Sequence, residues 1–427
     1  MSTDSDRSKL SGLRLAADAS CAIGQQSLAD SDRHYPLWPP ISTGDPERGD
    51  GRVPMEVTYD YEAIDPGLFE GPIDGGLDRW APILPPLVEG GGLGEGDTPL
   101  VDAPSIADHC DLKSTVYIKD ESRNPTWSQK DRLIRCASAG AIGTDAAGIV
   151  VSSTGNHGAS AAAYAGRLGL PCVVVTAPET PNSMCRFVRA YGAALVRIEG
   201  GDERVAAVDR LASEFGFHAV SSRTPFHTGH PFGPEGYKTI AYEIVAALDR
   251  APGSVFVPTC YGEILYGVWK GFRELDRLGV AAGTPRMIPC EPAARAPLTR
   301  AIETNDRFVA VDPAETMAKS IAATRDSYRG HVVLEESGGR PIAVSDRAIE
   351  SAADRLGAIG LWQERSGAAG VAGLRAAAES WTQPPEGPIV CIATSSGFKN
   401  PERTIDVPTT TPATIDETLE LEYDLDL

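Results

Sequence analysis

Residues 148–200 read GIVVSSTGNHGASAAAYAGRLGLPCVVVTAPETPNSMCRFVRAYGAALVRIEG, and this stretch decides the fold. Three β-branched runs, GIVVSS, PCVVVTA and ALVRIEG, are separated by ASAAAYAGRLG and NSMCRFVRAYG, whose apolar residues recur at helical spacing. Strand, loop, helix, strand, helix, strand is the pattern of a parallel sheet with crossover helices. It predicts a small doubly wound α/β domain over residues 131–219. Downstream, SVFVPT, ILYGVWKGFRELDRLG, RMIPCE, SDRAIESAADRLGA, GAAGVAGLRAAAES and PIVCIATS repeat the alternation. They predict a larger α/β domain built from residues 85–130 and 220–402. Residues 1–84, rich in Pro, Gly, Asp and Ser, read as an N-terminal arm draped over the core, with one strand at MEVTYDY. Residues 403–427 read as a solvated acidic C-terminal tail, since TTTPATIDETLELEYDLDL holds six acids and no base.

Composition narrows the partners. With 427 residues, 42% of them hydrophobic and 23% charged, the chain has material for two or three cores. No run approaches the roughly 18 apolar residues that span a bilayer, and MSTDSDRSKL lacks the flanks of a signal peptide. A cytoplasmic protein without a membrane partner is expected. A net charge of −20 repels a phosphate backbone, so no nucleic-acid partner is expected either. The 8 cysteines are scattered without a CxxC pair and read as reduced, buried hydrophobes. His218, His227 and His230 cluster without an acid or cysteine at ligand spacing, and no metal is expected.

Four segments carry chemistry. In NPTWSQKDRL, Ser128 followed three residues later by Asp131 resembles a capping box, which puts Lys130 in the first helical turn. A cation there opposes the helix dipole, which favours the free amine; such a lysine is a candidate for an imine with an aldehyde cofactor. In VVSSTGNHGAS, backbone N–H groups with Ser153 and Thr154 at a strand-to-helix turn form a cradle for a carboxylate or phosphate. PTCYGEI offers a second helix start at Gly262. In VCIATSSGFKNP, an apolar strand ends in the hydroxyls of Thr394, Ser395 and Ser396, at the strand end where open α/β sheets bind ligands.

In their order, NPTWSQKDR, SSTGNHGAS, EGYKTIAYEIV, GVWKGFREL, WQERSGAAGVAGL and ATSSGFKNP resemble the threonine synthase-like branch of the fold-type II, or tryptophan synthase β-like, pyridoxal-phosphate (PLP) enzymes. The match runs over about residues 95–402. The resemblance implies two doubly wound domains with pyridoxal 5'-phosphate in the cleft between them, and a homodimer. It implies that Lys130 is the catalytic lysine, joined to the cofactor as a Schiff base and then moving the Cα proton. Asn156 would hydrogen-bond the ring's phenolic oxygen, Gly262 would lie in the cofactor-phosphate loop, and Thr394 would face the pyridine nitrogen. A neutral hydroxyl there drains less charge into the ring than an aspartate would, which favours elimination and replacement over transamination. Ser128, Ser153, Thr154, Gly155 and His157 would meet the amino-acid substrate, while Glu364 and Ser366 would support the site.

The resemblance implies a lyase of amino-acid biosynthesis, closest to threonine synthase acting on O-phosphohomoserine. The alternatives are β-replacement on a phosphoserine-like donor, a serine/threonine dehydratase or ammonia-lyase, and a non-catalytic PLP-binding homologue. Departures bear on that choice. Trp127 stands at the family's glycine, Gln129 replaces an aromatic residue, and Glu263 sits in the phosphate loop. The arginine that takes the substrate phosphate in the family is missing, leaving Arg223, Arg325, His227 and His230 as candidates to replace it.

Overall fold

In a computed structural model, residues 12–382 and 385–399 are described; the predicted acidic tail lies outside them. The chain opens with three strands, β1 (Ala22–Ser27), β2 (Asp30–Tyr35) and β3 (Met55–Tyr59), in an antiparallel sheet of order β2-β1-β3. β3 is the strand predicted at MEVTYDY; β1 and β2 were not legible as strands. The sheet is anchored by polar contacts: Tyr59 donates to Glu235 (2.8 Å), and Lys270 reaches the Val57 carbonyl (2.7 Å) and Glu56 (3.1 Å). Residues 12–84 are thus built into the body of the protein.

There follow β4 (Leu100–Asp102), α1 (Pro104–His109), β5 (Val116–Asp120), α2 (Lys130–Ala137), α3 (Ala139–Gly143), β6 (Gly148–Ser152), α4 (Asn156–Arg167), β7 (Cys172–Thr176), α5 (Asn182–Ala190), β8 (Ala194–Arg197), α6 (Gly201–Phe215) and β9 (Phe217–Ala219). Strands β8-β7-β6-β9, in that order, form a parallel sheet. Its central strands β6 and β7 read as near-continuous apolar runs because both of their faces are covered. Ile149, Val151 and Val174 enter the main core, while Val150 and Val175 pack with Val208 of α6.

The chain continues through α7 (Gly233–Leu248), β10 (Ser254–Pro258), α8 (Glu263–Arg277), β11 (Arg286–Pro292), α9 (Pro297–Thr304), α10 (Tyr328–Ser337), β12 (Ile342–Val344), α11 (Asp346–Ala358), α12 (Arg365–Ser380) and β13 (Ile389–Ala393). The second large element is a six-stranded sheet of order β12-β11-β10-β13-β5-β4, parallel except for the β4–β5 pair. Alternate residues again go to opposite faces. Val255, Val257 and Val390 join the core under α7 and α8, whereas Phe256, Cys290 and Cys391 pack with Ala369 and Leu374 of α12.

Two buried ion clusters fasten the helices near the site. Arg132 bonds Glu121 (2.7 Å) and Glu243 (2.6 Å), and Lys119 also reaches Glu243 (2.6 Å). Lys238 contacts Glu235 (2.7 Å) and Glu274 (2.9 Å), and Lys270 shares Glu235 (2.8 Å). Charges this deep persist only because each is matched.

The histidines do not converge on one point. His227 stacks on Tyr261 at 3.6 Å, while His218 and His230 pair through their Nε2 atoms at 2.9 Å. His230 Nδ1 accepts from the Phe232 N–H, so its proton is on Nε2 and is donated to His218. Burial pulls His218 and His227 down to about 4. Because the unfolded imidazole titrates near 6.5, the unfolded chain binds more protons between the two values. Stability from these groups is therefore whole above about pH 6.5 and falls as pH drops toward 4, by up to about 3 kcal/mol for each. Urea midpoints measured from pH 7.5 to 4.5 are expected to fall steadily below 6.5, and the double replacement His218→Gln/His227→Gln should flatten that slope.

Candidate active site

The loop before α2 sets the position of Lys130. The expected capping box takes another form: Asp131 reaches back to Thr126, accepting from its N–H and its hydroxyl (both 2.6 Å), and also accepts from Ser160 of α4 (2.6 Å). Asp131 thereby ties the loop to both helices; burial raises its pKa, and these hydrogen bonds oppose the rise. Ser128 is released from capping, and its hydroxyl is buried without a hydrogen-bond partner. Lys130 opens α2 with its side chain partly exposed; Nζ lies 4.0 Å from Glu263 and 5.8 Å from the centre of the Tyr237 ring.

Two strand ends meet this loop. Gln129 N–H donates to the Thr394 carbonyl (3.1 Å), and the Ser395 hydroxyl and Ser396 N–H both donate to the Trp127 carbonyl (3.2 and 3.1 Å). Lys130 is thus fixed beside the end of β13. From β6 comes the turn Ser153–Gly155. The Ser153 hydroxyl accepts the N–H groups of Gly155 (3.1 Å) and Gly158 (2.9 Å), so it shapes the loop, while Thr154 is exposed. Asn156, at the start of α4, donates from Nδ2 to Glu364 (3.0 Å) and leaves Oδ1 buried without a partner; His157 Nε2 is likewise unpartnered. Burial, with Lys130 nearby, holds His157 well below its ordinary value and keeps it neutral.

The Asn156–Glu364 bond joins the two sheets across the cleft. Burial raises the pKa of Glu364, an effect that Lys399 and the Asn156, Ser320 and Ser395 bonds oppose. Glu364 therefore orients Asn156, a role the sequence reading gave only as support. Ser320 was missed altogether: its N–H donates to Ser366 (3.1 Å), drawing the 319–321 turn to the site from a segment without helix or strand periodicity.

Gly262 caps α8 in the left-handed region (φ 77°). A Cβ there would lie 2.5 Å from Ser327 Oγ and 3.2 Å from Gly330 N, so the start of α10 presses on the start of α8. Two helix N-termini meeting at a residue without a side chain suit an anion.

A buried lysine neighbourhood with unpartnered hydroxyl and amide oxygens on one side and a paired-helix anion cradle on the other fits an aldehyde-bearing phosphate ester. The family model described as "Pyridoxal-phosphate dependent enzyme" matches residues 92–395. The chain belongs to the PLP-dependent enzymes of fold type II. Within this group its relatives include the threonine synthases of Methanocaldococcus jannaschii, 31% identical over 82% of this chain and 88% of that one, and of Mycobacterium tuberculosis, 31% identical over 79% and 90%. The fold of this PLP enzyme matches maize serine racemase (TM-score 0.62, 20% identity, 73% of this chain and 89% of the other). It also matches a threonine deaminase of Solanum lycopersicum (TM-score 0.60, 25% identity, 70% and 79%).

Of the predicted site residues, Lys130, Ser128, Asn156 and Thr394 come together around the ends of β6 and β13. Gly262 opens α8, whose first residue, Glu263, faces Lys130. Of the candidate replacements for the missing arginine, burial holds His227 and His230 below their ordinary values and the two arginines are paired. Arg223 pairs with Asp209 (2.6 Å), and Arg325 forks onto Asp202 (2.8 and 3.1 Å).

Proposed function

We propose that this protein removes a leaving group from the side chain of an L-amino acid and adds a nucleophile, or water, in its place, the reaction type of threonine synthases. The support is the meeting of Lys130, the unpartnered Ser128 and Asn156 oxygens and the Gly262 helix start in one cleft, together with the threonine synthase relatives. When bound, pyridoxal 5'-phosphate supplies an aldehyde carbon for an amine and a ring that takes up the electron pair left at Cα.

The chain's own residues supply the rest. Lys130 Nζ would anchor the cofactor, then, once freed, carry the proton between Cα and the departing group. Asn156, oriented by Glu364, would hold the ring through its second Nδ2 proton. The turn N–H groups of residues 154, 156 and 157 would take the substrate carboxylate, and the starts of α8 and α10 the cofactor phosphate. Closure of the 131–219 lobe against the rest would exclude water, and neutral His157 adds no competing charge.

A second reading, dehydration and deamination of serine or threonine, is favoured by the pairing of Arg223 and Arg325, which leaves neither for a substrate phosphate. The test is to incubate the purified holoenzyme with O-phospho-L-homoserine, with O-phospho-L-serine and sulfide, and with L-threonine, following phosphate, 2-oxo acid and ammonia. Release of one of these products with a change in the visible spectrum is expected; silence toward all amino acids would remove the assignment.

A further inference from the structure

Trp127, three residues before Lys130, adopts φ +63°, a left-handed conformation that costs an ordinary L-residue about 1–2 kcal/mol. Its peptide is held there by the Ser395 and Ser396 bonds to its carbonyl and by its own N–H donated to Asn124 (2.7 Å). The large indole is not hidden in the core: it remains 42% exposed. It meets Phe187 of α5 edge-to-face at 5.6 Å and Phe398 at 6.4 Å, and Phe398, itself 63% exposed, packs on Trp362 at 4.7 Å. Phe187 belongs to the small-sheet side and Phe398 to the end of β13, so the rings form an apolar wall from one side of the cleft to the other. A strained tryptophan left half open beside the reactive lysine points to a role in recognition rather than in packing.

The charges around Lys130 supply an independent constraint. Glu263 lies 4.0 Å from Lys130. Arg223 and Arg325 are spent on Asp209 and Asp202, and Arg329 donates to the carbonyls of Thr228 and Met55. Lys399 is buried without a hydrogen-bond partner, and burial pulls its pKa down to about 8 although Asp131 and Glu364 oppose the drop. A phosphoryl group on the substrate would find these three guanidinium groups already bonded and a carboxylate beside Lys130.

From this geometry we infer that Trp127, with Phe187 and Phe398, forms a subsite selecting L-amino acids whose leaving group is uncharged, a hydroxyl or an acyloxy group, over phosphorylated ones. The inference rests on the elimination chemistry proposed above and names its substrate class. Loss of an acyloxy group breaks the carbon–oxygen bond and releases a carboxylate; loss of hydroxyl takes up the proton removed from Cα and releases water.

The test compares kcat/KM of the holoenzyme for O-acetyl-L-homoserine, O-acetyl-L-serine and L-serine with that for O-phospho-L-homoserine and O-phospho-L-serine, alongside spectral titrations giving the affinity for each. At least a tenfold preference for uncharged donors is expected. Trp127→Gly, which relieves the strained φ, should reduce that preference about tenfold, mainly through weaker binding in the titrations. Trp127→Phe should retain most of it, and the resting visible spectrum should be unchanged in both. Equal or better use of the phosphorylated donors, or an unaltered ratio in Trp127→Gly, would overturn the inference and leave the elimination chemistry standing. Silence toward donors of both classes would instead overturn that chemistry, and the inference with it.

Discussion

Lys130→Ala is expected to lose the visible absorption that the wild-type protein gains with pyridoxal 5'-phosphate, and to lower kcat/KM about 10⁴-fold. The size of the effect follows from asking one amine both to anchor the cofactor and to move the substrate proton. Folding should be nearly untouched, because the side chain lies in the cleft and its ion pair with Glu263 is long, at 4.0 Å. A partly exposed pair of this kind contributes at most about 1 kcal/mol. Lys130→Arg separates the chemistry from the charge: it keeps a cation beside Glu263 but has no amine to bond the aldehyde, so the same spectral loss is expected. Steady-state kinetics, circular dichroism, absorption spectra and peptide mapping after borohydride reduction check these statements. Borohydride-stable label at another lysine, or a band surviving in Lys130→Ala, would contradict them.

Arg132→Met should destabilise the fold by about 3–5 kcal/mol, the largest stability effect expected in the molecule. Arg132 is fully buried two residues beyond Lys130, and its guanidinium bridges Glu121, Glu243 and Thr239. Removing it leaves Glu243 with Lys119 as its paired cation and Glu121 with the hydrogen bonds from Thr98 and Asn124. The pKa of Glu243 is held well below the carboxylate range by Arg132 and Lys119, against a burial penalty that is larger than either attraction taken singly. Without the arginine, Lys119 is the cation left to oppose that penalty. Adding Glu243→Gln and Glu121→Gln to the Met variant should restore part of the loss, since neutral amides carry less of the burial cost. Urea unfolding measures both; a loss below about 1 kcal/mol in the single variant would show the cluster to be dispensable.

The parallel sheets were legible because strands buried on both faces leave continuous apolar runs, as in GIVVS and CVVVT, and these stand between helical repeats. Lys130 and the hydroxyls after β13 could be located for the same reason: they follow directly on such elements. The N-terminal sheet was largely hidden. β2 reads DSDRHY, an edge strand held by pairing with β1 and by Arg33 and Tyr35 bonding Asp45, and nothing in its pattern marks one face as buried. Pairings between distant segments were equally invisible. Glu364 meets Asn156 across 208 residues, and Arg325 meets Asp202 across 123; spacing along the chain carries no record of either. Trp127 drew notice as a departure from a family motif, but its left-handed backbone and its neighbours Phe187 and Phe398 required three dimensions.

The burial of the lysines has a practical consequence. Lys119, Lys238, Lys270 and Lys399 are enclosed, and among the described residues only Lys113, Lys319 and the cleft amine at 130 remain open to water. Sparing doses of an acylating reagent should therefore mark very few peptides, and occupancy of the cleft by the vitamin B6 aldehyde should erase a single one of them. The molecule thus carries its own footprinting assay for cofactor loading, readable by mass spectrometry without any knowledge of the substrate.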